Sequence, residues 1–139
     1  MKRVIITALS FLSVIVCSCK KEPQDLLLGE WKVLVTIEEE LNISGMLSHH
    51  TDKQNWYYTF GENGRGRAVS VDDSSQRYDF TYVYDKGFNS ILYTMGKSNG
   101  EWEIIVLTKD RFVFRSESTQ SAGGVITLKT VATSEGEKI

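Results

Sequence analysis

Apolar residues recur at every second position along most of this chain, and turn residues interrupt them at short intervals. A period of two belongs to a strand with one buried face, whereas a helix repeats every 3.6 residues. In GEWKVLVTI, Trp31, Val33, Val35 and Ile37 share one face, and Lys32, Leu34 and Thr36 the other. NWYYTF aligns Trp56, Tyr58 and Phe60, and QRYDFTYVYD aligns Tyr78, Phe80, Tyr82 and Tyr84 against Arg77, Asp79, Thr81 and Asp85. EWEIIVLT sets Trp102, Ile104 and Val106 together, and RFVFRSES sets Phe112 with Phe114. RAVSV, FNSILYTM and VITLKTVAT complete a set of eight such segments.

Most of the connections are short and rich in Gly, Asn and Asp: GENGRG, Asp85-Lys86-Gly87, KSNG, Lys109-Asp110 and QSAGG. These are hairpin turns by chemistry. No helical pattern is long enough for a crossover, so the sheet is expected to be antiparallel. The prediction is an all-β fold, an eight-stranded antiparallel up-and-down barrel with no free edge. A seven- or eight-stranded sandwich gives the same local signals but needs longer Greek-key connections. One connection is long: Glu38 to Asn55, between strands one and two, carries Leu41, Ile43, Met46 and Leu47. That apolar content predicts a lid folded back over the barrel mouth.

The N-terminus has different chemistry. Lys2 and Arg3 precede an apolar run from Val4 to Val16, shorter than the roughly 20 residues of a membrane span and typical of a secretory signal. Val16-Cys17-Ser18-Cys19 then resembles a bacterial lipobox, in which Cys19, preceded by the small Ser18, is the acylated residue. Cys17 follows the bulky Val16 and does not fit. The chain therefore divides into a lipoprotein signal peptide (1–18), a tether from lipidated, palmitate-bearing Cys19 (19–25, with the lone Pro23) and a barrel domain (26–139). Lys20 rather than Asp follows Cys19, which by the same resemblance implies an outer-membrane anchor, periplasmic or surface-facing. Losing Lys2 and Arg3 from 16 basic residues leaves 14 against 18 acidic ones, a balance opposed to nucleic-acid binding. With no thiol in the domain there is no disulfide, no cysteine metal site and no cysteine nucleophile.

Four motifs carry a second resemblance. Leu27 to Trp31 reads LxGxW, Tyr58 to Gly64 an aromatic strand end and Gly-Asn-Gly turn, Trp102 to Thr108 WxIxxLT, and Phe112 to Phe114 an apolar strand. Together they resemble the lipocalins, and more closely the lipocalin-like (calycin) lipoproteins of Gram-negative envelopes. The lipocalin Thr-Asp-Tyr signature is absent, so the likeness is to the looser group. The resemblance implies a barrel that holds a small ligand. It also gives Gly29 and Trp31 a structural role at the barrel base, under a basic side chain from the last strands, with Arg115 and Lys129 as candidates.

The candidate ligand site is the barrel interior: Trp56, Tyr58, Phe60, Tyr82, Tyr84, Trp102, Phe112 and Phe114, with Met46 and Leu47 from the lid. Such rows either line a cavity for a small hydrophobic or amphipathic molecule or fill the barrel outright. His49, His50 and Asp52 are the nearest approach to a metal cluster, but a metal takes three or four ligands, so exposed loop residues are expected and no metal or cofactor. No G-x-S-x-G occurs, and Gly61 to Gly66 lacks the Lys-Ser/Thr of a phosphate loop. Glu38 to Glu40, Asp72-Asp73 and the sequon Asn42-Ile43-Ser44 read as solvated residues. The expected function is non-catalytic binding of a small apolar ligand by a membrane-anchored protein. The alternative is a filled barrel acting as a protein-interaction or envelope structural module, docking through Leu34, Tyr57 and Tyr93. The sequence singles out no protein partner.

Overall fold

A computed structural model describes residues 22–139; the stretch read as a signal peptide and Cys19 lie outside the described residues. Eight strands follow a short helix α1 (Pro23–Leu27): β1 (Gly29–Ile43), β2 (Met46–Phe60), β3 (Arg65–Ser70), β4 (Arg77–Asp85), β5 (Ser90–Met95), β6 (Ser98–Leu107), β7 (Arg111–Ala122) and β8 (Ile126–Lys138). They form a closed antiparallel barrel in sequence order. Closure runs through β1 and β8, paired from Trp31↔Lys138 to Ile43↔Ile126, which rules out the sandwich.

Helix α1 occupies the end of the stretch read as a tether. Glu22 and Asp25 form a capping box ahead of Pro23, and Leu27 is buried. The helix lies across one end of the barrel, where Pro23, Gln24 and Leu27 meet Tyr82, Tyr84, Ile91, Ile104 and Leu107 with no water-sized space between them.

The predicted lid does not exist. Residues 38–55 continue β1 and β2 as one long hairpin, turned by Ser44 (φ 52°) and Gly45 (φ 88°). Two successive residues at positive φ make a type I′ turn, whose twist matches the flanking strands. Pairing is unbroken from Gly29↔Phe60 to Ile43↔Met46. Met46 and Leu47 are 79% and 57% exposed at the hairpin tip rather than folded over a mouth. The physical reason is that the hairpin outruns the barrel. Past Ile37 neither face is deeply buried, so no period of two is imposed on the sequence and the strand reads as a polar loop.

β7 and β8 are long as well, so a four-stranded sheet in the order β2-β1-β8-β7 rises beyond the barrel. Among the described residues its flanks carry no further strand, since β2–β3 pairing begins at Trp56↔Ser70 and β6–β7 pairing ends at Glu103↔Arg115. A second departure lies in β6. Register shifts between Ile104↔Phe114 and Val106↔Val113, so Ile105 is a β-bulge. Leu107, paired with Phe112, therefore packs on the core where strict alternation put Val106.

Candidate functional site

The interior is built from inward-facing rings on nearly every strand. Tyr58, Phe60, Phe80, Tyr82, Trp102, Phe112 and Phe114 are all buried. Glycines on the wall make room for the largest of them. Gly66 pairs with Phe80 and Gly136 with Phe112, and a Cβ at either glycine would fall 2.2 Å from the facing ring.

Ring contacts cross the barrel. Tyr58 on β2 reaches Trp102 on β6 at 6.1 Å between centroids, Phe80 on β4 reaches Trp102 at 5.8 Å, and Phe60 on β2 reaches Phe112 on β7 at 6.3 Å. β2 and β6 lie four strands apart in a closure of eight and so stand on opposite walls. Opposite walls in contact mean a filled barrel, the second of the two outcomes open to an eight-stranded interior. Stacked pairs continue along the wall: Tyr93 on Trp102 at 4.1 Å and Phe112 on Phe114 at 4.2 Å. Tyr93, read above as a surface residue, faces inward; its phenol lies across Gly100, its partner on β6. Tyr57 and the partly buried Leu34 face outward.

Burial sets the chemistry of these phenols. It pushes the Tyr58 hydroxyl well above the ordinary phenol range, helped by the neighbouring Tyr93, and raises Tyr93 and Tyr82 as well. The Tyr82 hydroxyl donates to the Gly61 carbonyl at 2.5 Å. Among the described residues the Ser90 hydroxyl is buried without a hydrogen-bond partner.

The other candidates lie away from this packed centre. Trp56 stands at the end facing the extension, its indole N–H donating to Gln54 at 3.2 Å and Gln54 donating to Asp52 at 3.0 Å. Tyr84 stands at the opposite end and donates to Asn89. Met46 and Leu47, adjacent on β2, point to opposite faces of the extension. Gly29, at φ +116°, opens β1 beside the Lys138 side chain.

Trp31 is fully buried, with its N–H donating to the Leu27 carbonyl at 2.7 Å. The cation over its ring is Lys138, at 4.5 Å, rather than Arg115 or Lys129. Lys138 also donates to the carbonyls of Leu28 and Leu26, tying α1 to the end of β8. Arg115 and Lys129 both pair instead with Glu117, at 3.0 and 3.2 Å, and hold its carboxyl below the usual range. Lys138 is the residue opposite Trp31 in the closing pair. No turn joins β1 to β8 to set that register, and the strand reading stopped at Thr133, so the sequence carried no signal for it.

His49 and His50 project from opposite faces of β2, opposite Glu40 and Glu39 respectively. Among the described residues no three His, Cys, Asp or Glu side chains converge as metal ligands. Asp73, in the β3–β4 turn, accepts from the Ser75 hydroxyl at 2.6 Å and from its N–H at 3.0 Å, which lowers its pKa. Asn42 accepts from Gly45 N–H in the hairpin turn.

Two open grooves were not foreseen. One, of about 870 Å³, runs over the outer wall past Glu30, Thr59, Asp79, Thr81 and Thr94, with Arg67 bridging to Asp79 at 2.8 Å. The other, of about 460 Å³, lies at the foot of the extension between Asp52, Asn55, Trp56, Asp72, Gln76 and Tyr78.

These features define a closed up-and-down eight-stranded β-barrel with a filled aromatic interior, compatible with a lipocalin-like fold. The chain matches no protein-family model, no curated protein and no solved structure.

Proposed function

We propose that this protein is a lipocalin-like lipoprotein of a Gram-negative envelope that acts through its surface, as a non-catalytic interaction or structural module anchored in the outer membrane. The observation that carries this reading is the contact of opposite walls, Tyr58 and Phe60 on β2 with Trp102 on β6. A small-molecule pocket needs roughly 300–1,000 Å³ lined by apolar groups. Opening that volume here would separate rings that stack and bury one another. Lys2, Arg3, the apolar run and Ser18-Cys19 support the anchor. Three residues separate Cys19 from Pro23, and the four steps between them reach at most about 14 Å. The α1 end of the barrel would then face the bilayer, with the extension pointing away from it.

A second reading rests on the groove beside Trp56 and Tyr78, whose rings lie 5.8 Å apart. There a small amphipathic molecule would lie on the rings without entering the barrel. Native mass spectrometry of the purified protein, with tryptophan quenching by an apolar dye, tests both. Absence of a bound molecule and of saturable quenching is the expected result. Binding abolished by Trp56→Ala favours the groove. One-to-one binding that survives Trp56→Ala and quenches the buried tryptophans overturns the filled-barrel reading.

A further inference from the structure

The barrel wall has no edges, but the extension has two: residues 46–54 of β2 and 116–122 of β7. Which main-chain groups face outward on β2 follows from its turn. A two-residue hairpin makes Ile43 and Met46 a hydrogen-bonded pair, so even-numbered residues of β2 bond β1. Leu47, His49, Thr51 and Lys53 then turn their N–H and C=O groups to the open side. Asn55 keeps the same alternation, its carbonyl accepting from Val71 N–H on the β3 side at 3.0 Å. Such an edge is a template for another strand.

We propose that the free edge of β2 pairs antiparallel with the same edge of a second copy of this chain, about a two-fold axis at Thr51. This names a partner for the surface-acting reading above. Only registers that set odd residues against odd residues can form the ladder, and charge selects among them. With the axis at Thr51, the paired segment covers residues 48–54. His50 faces the partner's Asp52, and by symmetry Asp52 faces the partner's His50. These are the close, non-hydrogen-bonded pairs, where side chains interact most strongly. Thr51 faces the partner's Thr51, Ser48 the partner's Gln54, and His49 the partner's Lys53, this last basic pair lying on the wider hydrogen-bonded positions and on the opposite face from His50 and Asp52. Moving the axis to residue 52 sets two aspartates opposite each other, to residue 53 two lysines, and to residue 50 two histidines. The β7 edge offers no such selection, because its only charged residue, Glu117, is already held by Arg115 and Lys129. A strand pair of this size is weak alone, and a shared membrane would raise its effective concentration.

The test uses the full chain in a mild detergent, its mass followed by light scattering from about 1 to about 100 µM, the range suited to a small interface. The expected result is a monomer–dimer transition within that range. Thr51→Pro removes an N–H that bonds nothing in the monomer, so the β1–β2 ladder survives. It should shift the transition at least tenfold upward with an unchanged circular-dichroism spectrum. Thr51→Cys, on the axis, should cross-link to a dimer in membranes with a short bismaleimide, beyond any cross-linking of the wild type through Cys17 or Cys19. Thr119→Cys, on the β7 edge, should not. A monomer throughout the range, a dimer indifferent to Thr51→Pro while folded, or cross-linking through Thr119→Cys alone would each overturn the proposal. None of these outcomes bears on the filled interior, which the ligand measurements test separately.

Discussion

Replacing Gly136 by alanine asks directly whether the barrel is full. A Cβ at Gly136 would lie 2.2 Å from Phe112 Cε2 and 2.4 Å from Cζ. Carbon atoms rest at about 3.5–4.0 Å, so the ring must retreat by more than an ångström. The retreat is blocked by Phe114 stacked at 4.2 Å, Trp31 at 4.9 Å and Phe60 at 6.3 Å. Overpacking of this kind costs about 1–3 kcal/mol, and so large a displacement among packed rings belongs at the upper end. Alanine regains roughly 0.5–1 kcal/mol of backbone entropy over glycine in a strand. The net expectation is a loss of about 2 kcal/mol. For a domain of this size that lowers the melting temperature by about 8 °C, readable by calorimetry or circular dichroism. Phe112→Leu removes the two nearest ring atoms, so in that background Gly136→Ala should cost at least about 1 kcal/mol less, a coupling visible in a double-mutant cycle. An unchanged or raised melting temperature for Gly136→Ala would refute the reasoning. Phe112 would then have somewhere to go, and free volume in the interior would revive the ligand reading.

Trp31→Ala should cost roughly 3–5 kcal/mol as a fully buried ring truncated to a cavity, and a mutant melting like the wild type would remove Trp31 from the core. Lys138→Met should cost about 1–2 kcal/mol by removing the cation above Trp31 and the donor to the Leu28 carbonyl; denaturant titration reads the difference. Because the folded Tyr58 phenol titrates above its unfolded value of about 10, its contribution is complete below that pH and lost as pH rises past it. Melting temperature should therefore fall in alkaline buffer, and less steeply in Tyr58→Phe; identical slopes would contradict the burial. Cys19→Ala should leave the membrane fraction and take no diacylglycerol label, and a wild type that never takes label would end the anchor reading.

β1 to β7 and their order were legible because each has one buried face within the barrel, and a buried face writes a period of two; β8 was read at 125–133, in the extension, and its barrel stretch, where only Ser134 and Gly136 are buried, was missed. The same logic explains the failure at residues 38–55. Glu38 to Glu40 and His49 to Lys53 are strand without a core, held by pairing on both sides of β1 rather than by burial. Tyr93 was misplaced because Ile91, Leu92 and Tyr93 are successive apolar residues that leave the inward face undefined. Ile105 is invisible as a bulge for a similar reason, lying inside an Ile-Ile-Val-Leu run where either phase reads as apolar.

Whether the barrel holds a ligand or fills itself was never in the count of aromatic residues, which serves both outcomes equally. It lies in what stands opposite each ring. Tyr93 faces Gly100, Phe80 faces Gly66 and Phe112 faces Gly136, and each ring occupies the place a Cβ would take. A barrel with an empty centre lets its rings point inward and needs no recess in the wall. Three recesses under three rings mean that the interior is full enough for side chains to be accommodated in the sheet itself. One of these pairs can be read from sequence alone. Met95 and Ser98 flank the two-residue turn Gly96-Lys97, and counting back along both strands sets Tyr93 against Gly100. A ring facing a glycine on the inward side of a tight hairpin is thus a sequence-level mark of a packed barrel, and Gly100→Ala should destabilise through Tyr93 as Gly136→Ala does through Phe112.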